Sequence, residues 1–177
     1  MSASSASSAA SSAPSAAATA TADAPPHAAT RRAWMAVLAH TPRAELEAAL
    51  NRALHGTTPP AYDWLRAPET GLAMVRGRVG GSGDAFNLGE ATVTRATLRL
   101  REPAEHAPVG VACHLGRDRK RAELAALADA MLQLPGHARL YADLIEPLST
   151  RLDEERSAKR AEAASTRVEF FTMVRGD

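Results

Sequence analysis

The chain has 177 residues, 45% of them hydrophobic, and 21 basic against 20 acidic groups leave a formal charge of +1. That balance argues against an electrostatic nucleic-acid binder, which normally carries a strong basic excess, and no apolar run approaches the roughly 18 residues of a membrane helix. Of the 80 hydrophobic residues 40 are alanine, and a single cysteine excludes both an internal disulfide and a cysteine-only cluster.

Residues 1–30 hold 13 Ala, 8 Ser, 3 Thr, 3 Pro and one charge, Asp23. With nothing large and apolar after Met1, they cannot bury enough surface to offset the entropy of ordering, so a disordered arm is expected. The arm has neither the basic start and apolar centre of a secretory signal nor the arginines of a transit peptide. With the lone cysteine, this points to a reducing cytoplasm.

From residue 31 the pattern turns helical, with Trp34, Val37 and Leu38 at i, i+3, i+4. Thr41 followed by Pro42 and Glu45 predicts an N-cap and a second helix carrying Leu46, Ala49, Leu50, Ala53 and Leu54. Gly56 to Pro60 breaks it. Residues 61–67 and 70–79 then read as two short strands around Pro68. Residues 91–101 alternate, with Ala96, Leu98 and Leu100 on one side and Arg95, Thr97, Arg99 and Arg101 on the other. Val109, Val111, Cys113 and Leu115 share one face of a last strand, and Cys113 is expected to be buried with them.

A strong helix over 118–134 follows, with Leu124, Leu127, Ala128, Met131 and Leu134 in register. Another begins near His137, carries Leu140 to Leu152, and should kink or break at Pro147. The order predicts an α+β fold: two N-terminal helices, a mainly antiparallel sheet of about four strands with helices on one face, then two or three C-terminal helices and an extended tail. The domain runs from 31 to 152. Residues 153–177 form a polar helical arm, with Glu155 and Lys159 spaced to pair, and an apolar tail. In that tail Val168, Phe170, Phe171, Met173 and Val174 either complete the chain's own core or dock on a partner.

Candidate chemistry is sparse. Gly77 to Asp84 has the glycines of an anion cradle beside Arg76 and Arg78, but no Lys-Ser/Thr and no following helix. A hairpin turn is the simpler reading. The six histidines lack metal-ligand spacing, and adjacent Cys113 and His114 point to opposite faces of a strand. No serine stands in a nucleophile elbow. Glu69, Glu90, Asp118 and Glu123 are the carboxylates available for acid–base work, though Asp118 and Glu123 suit a helix start. No catalytic residue and no metal site follow.

One further signal lies in the wording of the sequence. Residues 32–39 (RAWMAVLA), 69–72 (ETGL), 80–83 (GGSG), 89–95 (GEATVTR), Gly116-Arg117-Asp118 with Ala122-Glu123, and above all 167–176 (RVEFFTMVRG) resemble the G subunits of the carbon–phosphorus lyase core complex. The likeness spans the whole folded part; the Ala/Ser arm is a departure. It implies an assembly with H, I and J subunits that, with the L subunit also taking part, forms α-D-ribose 1-methylphosphonate 5-triphosphate from ATP and methylphosphonate. It also implies that the iron–sulfur cluster and S-adenosylmethionine belong to another subunit, so this chain binds no cofactor of its own. Two roles then stand open. The chain is a non-catalytic docking subunit, or it contacts the nucleotide or phosphonate through Arg76, Arg78 or Arg95.

Overall fold

The computed structural model describes residues 28–165. Helix α1 (Ala28–His40) and helix α2 (Arg43–Ala53) lead into a sheet of β1 (Tyr62–Arg78), β2 (Ala85–Leu100) and β3 (Val109–Leu115). Helix α3 (Arg119–Met131) follows, then α4 (Ala138–Leu140), a π-helical turn (Tyr141–Ile145) and α5 (Glu146–Ser165). The sheet is antiparallel throughout in the order β1-β2-β3. The fold is α+β as expected, with three strands rather than four.

The merged strand has a physical reason. Pro68 offers no N–H to a ladder, which suggests a break. Yet β1 is an edge strand, and Pro68 lies in the register shift between Arg66 and Glu69, where a missing donor breaks no bond. The hairpin reading of the glycine-rich stretch holds: Val79–Gly81 form a 3-10 turn with Gly80 at φ 62°, and Gly83 N–H donates to Val79 O at 3.1 Å. Strand β2 starts at Ala85, six residues before the alternation is legible, because Asn87 and Gly89 interrupt the pattern.

The helices cover one face of the sheet, where Thr94, Ala96, Leu98 and Leu100 of β2 are buried. In β3 the buried set is Gly110, Ala112 and His114, so Cys113 is exposed, contrary to expectation. Size decides the face. A Cβ on Gly110 would stand 1.9 Å from Ala126 O, so α3 approaches the strand more closely than any side chain there allows. The bulkier Val111, Cys113 and Leu115 turn outward. On α3 every residue from Leu124 to Met131 is buried, much of that run being alanine.

Two helix boundaries also differ from expectation. Thr41 does not cap α2; its hydroxyl donates to Val37 O at 2.9 Å, closing the end of α1, while extended Pro42 stands at the α2 N-cap without a side-chain bond. The helical rod runs on through Pro147. The irregularity lies just before it, in the π-helical turn, whose wider ring makes room for a proline that would otherwise crowd the carbonyl four residues back. Beyond Leu152 the helix is almost wholly exposed, as a helix polar all round must be, and Glu155 pairs with Arg151 rather than with Lys159. The N-terminal arm up to residue 27 and the tail 166–177 lie outside the described residues; Ala28 to Thr30 already belong to α1.

Candidate functional site

The most connected polar group among the described residues is Asp129, fully buried in α3. Its Oδ1 accepts from Trp34 Nε1 at 2.8 Å and Arg31 Nε at 3.1 Å; its Oδ2 accepts from Arg31 Nη2 at 2.7 Å and Val111 N at 2.9 Å. Helix α1, strand β3 and helix α3 are tied at this one carboxylate. All its partners are donors from the fold itself, which makes it a structural anchor rather than an acid or base presented to substrate. The sequence reading missed it. The available signal was an acid amid the apolar and alanine residues of α3.

Beside this anchor, α1 and β3 enclose an open groove of about 610 Å3, lined by Arg31, Arg32, Met35, Val111 and Cys113 among others. It offers apolar walls and two guanidinium groups. Cys113 has no activating base: the ring nitrogens of His114 face Leu115 O at 2.9 Å and Asp118 O at 3.0 Å, on the opposite side of the strand. Among the described residues no three His, Cys, Asp or Glu side chains converge as a metal site would need.

Three of the four named carboxylates also have structural partners. Asp118 caps α3, accepting from Arg121 N at 3.0 Å. Glu123 accepts from Tyr62 Oη at 3.0 Å and Lys120 Nζ at 2.7 Å. Burial, reinforced by the Glu123 carboxylate, pushes the Tyr62 phenol up to about 12. Glu69 joins Arg95 at 2.7 Å and Arg66 at 3.0 Å, and the Arg95 guanidinium holds its carboxyl below the ordinary value. Glu90, the fourth, is exposed and lies opposite Met74 in the ladder.

The structure brings two of the three candidate arginines together. Arg76 and Arg78 line an open depression of about 380 Å3 with Gly77 and Ala85 near the tip of the β1–β2 hairpin. Arg78 Nη1 donates to Gly83 O at 2.8 Å. Arg95 lies opposite Glu69, seven residues back along the ladder. At roughly 3.3 Å per residue that is about 23 Å, and alternation along β1 sets Glu69 on the other face from Arg76. A single triphosphate cannot engage all three. The positions Val168, Phe170, Phe171, Met173 and Val174 lie outside the described residues.

The described residues thus assemble no nucleophile–base pair and no paired free carboxylates. They present surfaces: a groove, an arginine-flanked hairpin tip, and a row of exposed apolar side chains on the same hairpin. Among the described residues no helix is long and apolar enough to cross a membrane. Residues 29–176 match the family described as "Phosphonate metabolism protein PhnG". A protein of Rhizobium meliloti (strain 1021), named alpha-D-ribose 1-methylphosphonate 5-triphosphate synthase subunit PhnG, is 47% identical over 149 residues, which cover 84% of this chain and 91% of that protein.

Proposed function

Because the chain belongs to the PhnG family of phosphonate metabolism proteins, we propose that it is a subunit of α-D-ribose 1-methylphosphonate 5-triphosphate synthase and works as a docking, non-catalytic component. In the reaction that name implies, a methylphosphonate oxygen bonds to the ribose anomeric carbon of ATP. The carbon–nitrogen bond to adenine breaks, and adenine leaves with a proton.

The observation that carries the non-catalytic part is the engagement of the polar groups just described. Asp129, Asp118, Glu123 and Glu69 all hold structural partners, and Cys113 lacks a base. A displacement at an anomeric centre needs a group that positions the phosphonate and another that supports the departing base. Those groups then come from other subunits. The I, H and J subunits are the proposed partners in the assembly, the L subunit supports the same step, and the complex works in the cytoplasm. ATP is the complex's substrate. The iron–sulfur cluster and S-adenosylmethionine serve a later step on another subunit. Val168, Phe170, Phe171, Met173 and Val174 supply a docking tail rich in the aromatic and methionine side chains that anchor interfaces.

Co-expression with the I subunit tests this reading. The full chain is expected to co-purify with it, and removal of residues 168–177 is expected to abolish co-purification. Retention of the complex after truncation rules out the docking tail. A second reading is favoured by the depression beside Arg76 and Arg78, whose guanidinium groups suit phosphate oxygens: the chain contributes ligands to the triphosphate. Under it, Arg76→Ala or Arg78→Ala leaves the complex assembled yet strongly lowers adenine release, whereas Arg95, about 23 Å away by ladder register and paired with Glu69, stands apart from that depression. Joint loss of assembly and activity counts against it.

A further inference from the structure

The sheet extends well past the layer of helices that covers it. Pairing between β2 and β3 ends at Val93 opposite Leu115, whereas pairing between β1 and β2 continues to Arg78 opposite Ala85. From about Gly71 outward the hairpin is a two-stranded arm with no third strand beside it. An isolated two-stranded ribbon is marginal in water and normally needs a partner surface.

Both faces of this arm carry exposed apolar side chains, but only the outer face is apolar throughout; on the helix-side face Leu72 and Met74 stand among Thr92, Glu90, Arg76 and Asn87. Opposed residues share a face, so the helix-side face that carries Thr70 and Thr94 continues through Leu72 and Met74, which are 65% and 53% exposed. Alternation along β1 puts Val75 and Gly77 on the other face. There Phe86 stands opposite Gly77, and Leu88 covers it: a Cβ on Gly77 would lie 2.5 Å from Leu88 Cδ1. Phe86 is 44% exposed and Leu88 61%. The register shift between Val75 and Arg76, with Gly89 at φ 150°, moves these two side chains to the outer face. At the tip Val79 is exposed as well. A concentration of apolar side chains on a projecting element marks an interaction surface.

Size selects the occupant. Eight residues at roughly 3.3 Å make an arm about 26 Å long and about 10 Å wide, so one face offers on the order of 300 Å2. A second copy stacked face to face would cover only that much on each side, well short of the ~800 Å2 per partner of a stable interface. Enclosure on both faces and both edges brings the buried area to about that value. We infer that residues 71–91 form an arm that inserts into an apolar cleft on another subunit of the synthase. The cleft walls supply backbone hydrogen-bond partners to the two open strand edges, and a carboxylate faces Arg76. This rests on the assembly reading above and adds to it a second docking element, separate from the tail.

The test uses the full chain co-expressed with the other synthase subunits, one of which carries an affinity tag. Three variants are compared with the parent: Leu72→Ser with Met74→Ser, Phe86→Ser with Leu88→Ser, and all four together. The free variants are expected to keep the parent's circular dichroism and melting temperature, because the side chains are exposed. Each pair is expected to lower recovery of this chain at least tenfold, and the quadruple variant to abolish it. A photo-reactive residue at position 72 is expected to cross-link another subunit, which reads the contact without disturbing the fold. Recovery of the quadruple variant at the parent level overturns the inference, as does an effect confined to one face. So does a parent homodimer that the quadruple variant loses. Failure of the parent chain itself to co-purify sinks the assembly reading, and the arm proposal with it.

Discussion

Asp129 is where charge, packing and chain topology meet. Its carboxylate has no solvent exposure and accepts four hydrogen bonds, three of them from α1. Truncating a buried group of this kind leaves the Trp34 and Val111 N–H groups without an acceptor. Asp129→Ala is therefore expected to cost about 3 kcal/mol, read as a lower urea midpoint. Gly110 makes a similar demand through space alone. The contact of 1.9 Å to a backbone oxygen cannot be relieved by rotating a side chain, so Gly110→Ala should lower stability by about 3 kcal/mol or more. Tyr62 offers a pH signature. Its folded value lies near 12 against an ordinary 10.0, so the native state holds the phenolic proton more tightly than the unfolded chain does. The resulting stabilisation is fully present below pH 10 and is lost as pH rises towards 12. Alkaline unfolding of the parent chain should show that loss, and Tyr62→Phe should lack it.

At the scale of elements, the most local signals were the most legible. The alternation Ala96, Leu98, Leu100 against Arg95, Thr97, Arg99 put β2 the right way round, because strand period is a property of the chain itself. Asp118 caps α3 where a helix start was expected, and Asp118→Ala should destabilise by about 1 kcal/mol in thermal unfolding. The misread features all depended on neighbours distant in sequence. Pro68 looked like a strand break until its place on a sheet edge removed the penalty. Cys113 looked buried because its face carried the larger apolar side chains, yet a closely packed helix selected the face with Gly110 and Ala112 instead. Thr41 had the chemistry of an N-cap and found a carbonyl at the end of the previous helix first. Asp129, the centre of the polar network, carried no motif at all. The candidate arginines were legible as residue types, but their separation was not, since it follows from ladder register.

At the scale of the whole molecule, one contrast stands out: most of the candidate acids are held by the fold's own groups, while apolar side chains of the hairpin stay exposed. Asp118, Glu123 and Glu69 are tied to the fold, and Glu90 on the hairpin is exposed. The arm beyond Gly71 and the groove between α1 and β3 present greasy surface to whatever lies beside them. The most direct check is the rate of adenine release from ATP and methylphosphonate in three samples: this chain alone, the other synthase subunits alone, and the two combined. The account predicts turnover only in the combined sample. Turnover by the isolated chain, or an undiminished rate from the other subunits without it, would contradict the account.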